Sequence, residues 1–227
     1  MSAILYRLMP TPEAVLFDLD GTLVDSERAN IESVVLAVRR HGGELSAEER
    51  TFVVGHSWNE IYEMLARNHS LPVTMTQLIA EAVDEKRALI AGSGIPALPG
   101  AVALVKRLAR ETKLAVVSGA STSEVKDALA GIGLTDCFPL VVAAEDYAHG
   151  KPSPEPYAQA IARLGVSAAR SVAIEDATPG ILSAHAAGAR VIAVRAGNFA
   201  GYDLSPADAV VDTLDDATDA LIAELLG

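Results

Sequence analysis

Short aliphatic runs recur along this chain at 14–18, 113–118, 140–143, 171–175 and 190–194, with a weaker one at 209–211. They are continuous rather than alternating, so they read as strands covered on both faces, as in a parallel sheet. Helical periodicity fills most of the intervals, at 101–111, 123–131, 155–164, 179–187 and 214–226. Strand and helix in turn leave few architectures open. The fold class expected is α/β, a Rossmann-like parallel sheet core flanked by helices, with ligands at the carboxyl ends of the strands.

The first interval breaks the rhythm. From about 26 to 99 there is no convincing strand, and helical patterns lie at 27–40, 58–68 and 76–90. A block of that length is too long for a crossover, so an inserted all-helical cap domain is expected. Its return linker would be 92–100, which holds three glycines and two prolines. The division predicted is 1–25 and 100–227 for a Rossmann-like catalytic core and 26–99 for the cap. At 227 residues, half of them apolar, the chain can close one substantial core and a smaller module.

Thirty acidic against eighteen basic side chains give a net charge of −12. A nucleic-acid backbone is repelled by that field, so nucleic acid is excluded as an expected partner. A small anion meets the same repulsion, and its site must be made locally positive by a metal ion, a lysine or backbone N–H groups. Cys137 is the single cysteine, which rules out an intramolecular disulfide or a cysteine-built zinc cage, and it reads as a packing residue. The first twelve residues lack a basic start followed by a long apolar stretch. No later run approaches the roughly 18–20 uncharged residues that span a bilayer. The expectation is a cytoplasmic protein without a membrane partner, a monomer or small homo-oligomer.

Four strings carry chemistry. Asp18-Leu19-Asp20-Gly21-Thr22 follows the first run directly. Two carboxylates two residues apart at a strand end can face one pocket, and Gly21 permits the turn that frees them from the sheet. One can be a nucleophile held by a cation and the other an acid/base, although a capped turn has the same composition. Glu175-Asp176 ends another run, and burying it beside Asp18 is costly unless a divalent cation sits among the carboxylates; hard oxygen ligands suit Mg²⁺. Helix capping is the alternative, but Thr178-Pro179 is expected to supply that N-cap and a first-turn proline. Ser118-Gly119 closes the 113–117 strand with a hydroxyl and a backbone N–H where phosphate oxygens could be held, or forms an ordinary turn. Lys151 precedes Pro152-Ser153-Pro154-Glu155-Pro156, a rigid segment able to fix a cation near the sheet edge; a lone lysine is otherwise a solvated charge.

In this order, each at or just after a strand end, the four strings resemble the haloacid dehalogenase superfamily over essentially the whole chain. Leu23-Val24-Asp25-Ser26-Glu27, Lys151-Pro152-Ser153-Pro154 and Glu175-Asp176-Ala177-Thr178-Pro179-Gly180-Ile181 look like the subgroup of β-phosphoglucomutase and small sugar-phosphate or phosphoglycolate phosphatases. The resemblance implies an Mg²⁺-dependent phosphatase of a small phosphorylated metabolite that works through an aspartyl-phosphate on Asp18. Asp20 would be the acid/base. Asp18, Asp176 and the Asp20 carbonyl would bind Mg²⁺, with Glu175 as a ligand or beside one. Thr22, Ser118, Gly119 and Lys151 would serve the phosphoryl group.

Relatives that dehalogenate usually lack the second aspartate, so Asp20 with Glu175-Asp176 disfavours that reaction; phosphonate hydrolysis is disfavoured because its relatives also lack it. Gly55-His56-Ser57 falls where relatives place a specificity loop, which makes His56 either a substrate contact or a solvated histidine. Trp58 either lines the pocket or anchors the cap core. His41, His69, His149 and His185 show no metal-ligand spacing. A phosphomutase and a catalytically silent phosphate-binding regulator are the competing readings. The mutases carry a histidine and an arginine where this chain has Asn30 and Trp58, and the silent reading predicts a lost motif residue, whereas all are present.

Overall fold

The computed structural model describes residues 10–54 and 56–227, with the backbone alone at 91–93. The aliphatic runs form β1 (Ala14–Phe17), β2 (Lys113–Val117), β3 (Leu140–Val142), β4 (Ser171–Glu175), β5 (Arg190–Val194) and β6 (Ala209–Val211). The described α-helices are α1 (Ser26–Arg40), α2 (Ala47–Val53), α3 (Trp58–Asn68), α4 (Met75–Ser93), α5 (Ala101–Leu108), α6 (Thr122–Gly131), α7 (Glu155–Leu164), α8 (Thr178–Ala186) and α9 (Asp219–Leu225). By their contacts the residues divide into two compact units, Asp25–Ile95 and the remainder. No described helix is long and apolar enough to cross a membrane.

The sheet-bearing unit is α/β and Rossmann-like. Its six strands run in the order β3-β2-β1-β4-β5-β6, every neighbouring pair parallel. The order reverses between β1 and β4, and the carboxyl ends of strands at such a reversal open on a crevice that no crossover helix covers. Phe17 is level with Val116 on one side and Ile174 on the other. The residues that follow, Asp18, Val117 and Glu175, therefore lie at one height along the carboxyl edge of the sheet. β1 and β4 are buried along their whole length, with aliphatic residues through their middles and Ser171 and Glu175 buried at the two ends of β4. On one side of the sheet Tyr157, Ala160 and Ile161 of α7 join Leu16, Ala115 and Ala173 in one apolar cluster.

Several boundaries differ from expectation for local reasons. β1, β2 and β3 stop one residue early, before Asp18, Ser118 and Ala143. Asp18 and Ser118 still donate their N–H groups to Ile174 and Val142, at 3.0 and 2.9 Å, so each ends the ladder and begins the loop. Thr178 is not the N-cap of α8: Ala177 holds that position without a side-chain bond, and the Thr178 hydroxyl donates to the Asp203 carbonyl at 2.7 Å. Asp176 still lies outside the cap. The last helical pattern splits into a 3₁₀ turn at Leu214–Asp216 and α9, because the Thr218 hydroxyl caps the Leu221 N–H at 3.2 Å and restarts the helix. The return linker begins at Gly94 rather than Gly92, since α4 runs on to Ser93. Cys137 ends a 3₁₀ turn, half-buried and without a disulfide.

The helical unit is punctuated by capping boxes. Ser46 with Glu49, Ser57 with Glu60 and Thr74 with Gln77 each exchange side-chain and backbone bonds at a helix start. The first of these opens α2, a seven-residue helix too short to register as periodicity. Val35 and Val38 of α1 pack with Ile61, Leu65 and Leu78, and Trp58 lies half-buried against that cluster as a core anchor. Glu49 ties the unit together: its carboxylate accepts from Ser46 N–H at 2.7 Å, Asn68 Nδ2 at 2.8 Å and His69 Nε2 at 2.9 Å.

Partial burial opposes the Glu49 charge, but the donors from Asn68, Ser46 and His69 outweigh it and bring its pKa down to about 2. A carboxyl depressed in the fold contributes stability that is present above its ordinary pKa of 4.5 and lost as the pH falls toward 2. Fluorescence of Trp58, the chain's one tryptophan, should therefore show the helical unit melting progressively earlier across that window. Glu49→Gln should cost about 1–3 kcal/mol at neutral pH, because three donors lose a charged acceptor, and should flatten the pH dependence. A melting temperature unchanged from pH 6 to pH 2 in the wild type would refute this account.

Candidate active site

At the reversal point two motif carboxylates hold one ammonium group and a third adjoins them. Lys151 Nζ donates to Asp18 Oδ1 at 2.5 Å, to Glu175 Oε1 at 2.6 Å and to the Val117 carbonyl at 3.0 Å, which uses all three of its protons. Lys151 reaches this spot from the loop before α7, whose Ala148 and His149 N–H groups are held by the Glu155 carboxylate at 2.8 and 3.0 Å. Asp176 adjoins: one oxygen each of Asp18, Glu175 and Asp176 lies within 4.8 Å of the others.

Three buried carboxylates share one lysine, and the charges respond. Burial, with Glu175, Asp176 and Asp20 as neighbours, pushes the Asp18 carboxyl well above its ordinary range against the pull of Lys151. Burial and Glu175 raise Asp176 to about 8. Burial disfavours the Lys151 ammonium, but Asp18 and Glu175 outweigh it and hold its pKa well above the ordinary lysine value. The protein's own cation therefore leaves the cluster short of positive charge. Its donors are hard oxygens, the set that Mg²⁺ prefers, so the residues fit a divalent ion.

Two glycines make the cluster possible. Gly21 lies at φ 78°, and a Cβ there would stand 2.2 Å from Asp176 Oδ2. At Gly180, in the first turn of α8, a Cβ would stand 1.9 Å from Glu175 Oε1, so the carboxylate occupies the room that a side chain would take.

The remaining predicted site residues fall as follows. The Ser118 side chain is buried, and its Oγ accepts from Ala120 N–H at 3.0 Å; Gly119 beside it is exposed. Asp20 is exposed at the turn after Asp18 and close enough to raise the pKa of both Asp18 and Asp176. Thr22 is fully buried, and its hydroxyl has no hydrogen-bond partner among the described residues. His56 lies in the helical unit, stacked on Phe52 at 3.8 Å with Nδ1 3.2 Å from the Val54 carbonyl, while Gly55 beside it falls outside the described residues. His41, His69 and His149 each face a glutamate, and His185 faces Asp208 and the Pro206 carbonyl.

Two tyrosines at the site lie outside the sequence motifs. Tyr147 donates to the Ser118 carbonyl at 2.9 Å, and fully buried Tyr157 donates to Glu175 Oε1 at 2.7 Å. The sign available was a phenol on the apolar stripe of α7, six residues after Lys151.

The model of a family described as haloacid dehalogenase-like hydrolase matches residues 15–194. Hexitol phosphatase A of Escherichia coli strain K12 is 34% identical over 198 residues, 80% of this chain and 82% of that protein. A bifunctional riboflavin kinase/FMN phosphatase of Arabidopsis thaliana is 28% identical over 88% of this chain, which spans only 53% of that longer protein. Among solved structures, a HAD-superfamily hydrolase of subfamily IA from Geobacter sulfurreducens superposes with a TM-score of 0.77 at 24% identity, over 97% of this chain and 98% of that one.

Proposed function

Because the chain belongs to the haloacid dehalogenase-like hydrolases, we propose that it is a Mg²⁺-dependent phosphatase of a small phosphorylated metabolite, a sugar phosphate or phosphoglycolate-like ester. The observation that carries this reading is the single ammonium of Lys151 set between Asp18 and Glu175 at the sheet reversal, with Asp176 adjoining. A similar hexitol phosphatase supports the substrate class.

In this reading Asp18 attacks phosphorus in line, forming its O–P bond as the ester O–P bond breaks. Asp20, exposed at the turn after Asp18, gives its proton to the leaving alkoxide. It then takes one from the water that attacks phosphorus and returns Asp18 as a free carboxylate. Lys151 keeps two anions close enough to react, and Ser118 with the Gly119 N–H holds the transferring oxygens. Asp18, Asp176 and the Asp20 carbonyl would bind Mg²⁺, with Glu175 against them. When bound, the ion supplies the positive charge that Lys151 alone does not. The 26–99 block would be the cap domain of this family, with His56 as a candidate substrate contact.

A mutase must hold a second, non-transferring phosphate. Trp58, at the position where a mutase carries its arginine, packs half-buried against the helical unit's core and offers no guanidinium, which supports hydrolysis over mutase chemistry. The test is a phosphometabolite panel with Mg²⁺, with and without EDTA, followed by phosphate release. Release that vanishes in EDTA, returns with Mg²⁺ and is inhibited by excess Ca²⁺ is expected, since Ca²⁺ takes larger and less regular coordination. Full activity in chelator would refute the metal dependence. Conversion of β-glucose 1-phosphate to glucose 6-phosphate, primed by the 1,6-bisphosphate and faster than any phosphate release, would make the chain a mutase.

A further inference from the structure

The mechanism above does not use Tyr157, whose side chain is fully buried yet carries a hydroxyl aimed at the centre. Its ring belongs to the core cluster with Ala160 and Ile161, a place that phenylalanine would fill equally well. Packing thus accounts for the ring and not for the oxygen. That oxygen donates to Glu175 Oε1 at 2.7 Å, the same atom that accepts from Lys151 at 2.6 Å. The other carboxylate oxygen accepts from the Asp176 N–H at 3.2 Å. Lys151 Nζ also lies 5.1 Å from the centre of the Tyr157 ring. Residues 151–157, a proline-rich segment running into α7, therefore bring both an ammonium and a phenol onto one oxygen.

We propose that Tyr157 is a positioning residue that fixes Glu175 for divalent-cation binding, an inference that rests on reading Asp18, Glu175 and Asp176 as the Mg²⁺ centre. A buried carboxylate with one charged donor would turn with that donor, and here the donor also serves Asp18. A second cation would fix Glu175 but would cancel the negative charge that attracts the metal. The phenol is a neutral donor, so it locks the carboxylate's rotation and leaves the cluster's charge intact. Gly180 leaves the room in which the bound carboxylate lies, since a Cβ there would collide with it.

The test is Mg²⁺ binding by calorimetry on the full chain without substrate. Tyr157→Phe should weaken Mg²⁺ binding about tenfold to hundredfold, the usual effect of removing a partner that orients a metal ligand. Its metal-free thermal transition should stay near that of the wild type. Ile161→Val, which loosens the same helix in the same core, should lower the thermal transition and keep the Mg²⁺ affinity. Equal Mg²⁺ affinity in Tyr157→Phe and wild type would overturn the role of Tyr157, and so would an equal loss in Ile161→Val. Wild-type protein that binds no Mg²⁺ would instead overturn the metal-centre reading itself.

Discussion

Asp18→Asn is expected to abolish phosphate release from every substrate the wild-type chain hydrolyses, by about three orders of magnitude or more, as loss of a nucleophile does. An amide cannot attack phosphorus and is a poor ligand for Mg²⁺. The fold should survive. Lys151 keeps its bonds to Glu175 and the Val117 carbonyl, and the substitution removes a carboxylate whose charge is opposed by burial and by Glu175 and Asp176. Circular dichroism in chelator should accordingly give a thermal transition at or above that of the wild type. Activity within tenfold of wild type, in a preparation shown by mass spectrometry to be free of deamidation, would sink the aspartyl-phosphate mechanism.

Lys151→Met should remove both activity and stability. It takes away the buried cation on which Asp18 and Glu175 depend and leaves the cluster without a neutralising side chain. Breaking a buried pair in this way costs about 3–5 kcal/mol, or roughly 6–20 °C in melting temperature at about 2–4 °C per kcal/mol for a protein of this size. Saturating Mg²⁺ should recover part of that loss, because an ion bound to the folded state stabilises it and restores positive charge among the carboxylates. It should not recover turnover. Thermal melts with EDTA and with Mg²⁺ measure both; a variant as stable as wild type in EDTA would mean that the ammonium does not hold the cluster together.

The sites where reading the chain succeeded share a local cause. A strand covered on both faces is apolar through its middle, so β1, β2, β4 and β5 appear in the sequence as short apolar runs, and the carboxylates at the ends of β1 and β4 stand out against them. Misses came where a local signal was overridden or too short. Thr178 reads as a cap but spends its hydroxyl on Asp203, Thr218 divides a continuous helical pattern, and α2 is shorter than its periodicity can reveal.

The linear order of residues determined the α/β class, the helical block after the first motif and the four strings that carry chemistry, because each depends on neighbours a few positions apart. Only the tertiary structure decided that β1 lies between β2 and β4, which sets Asp18 level with Glu175 and within reach of Lys151, 133 positions away. It alone decided that the phenol of Tyr157 meets Glu175 and that Gly180 leaves space for that carboxylate. Parallel neighbours are joined through long crossovers, so strand order and the burial it creates belong to the packed whole and to no single segment.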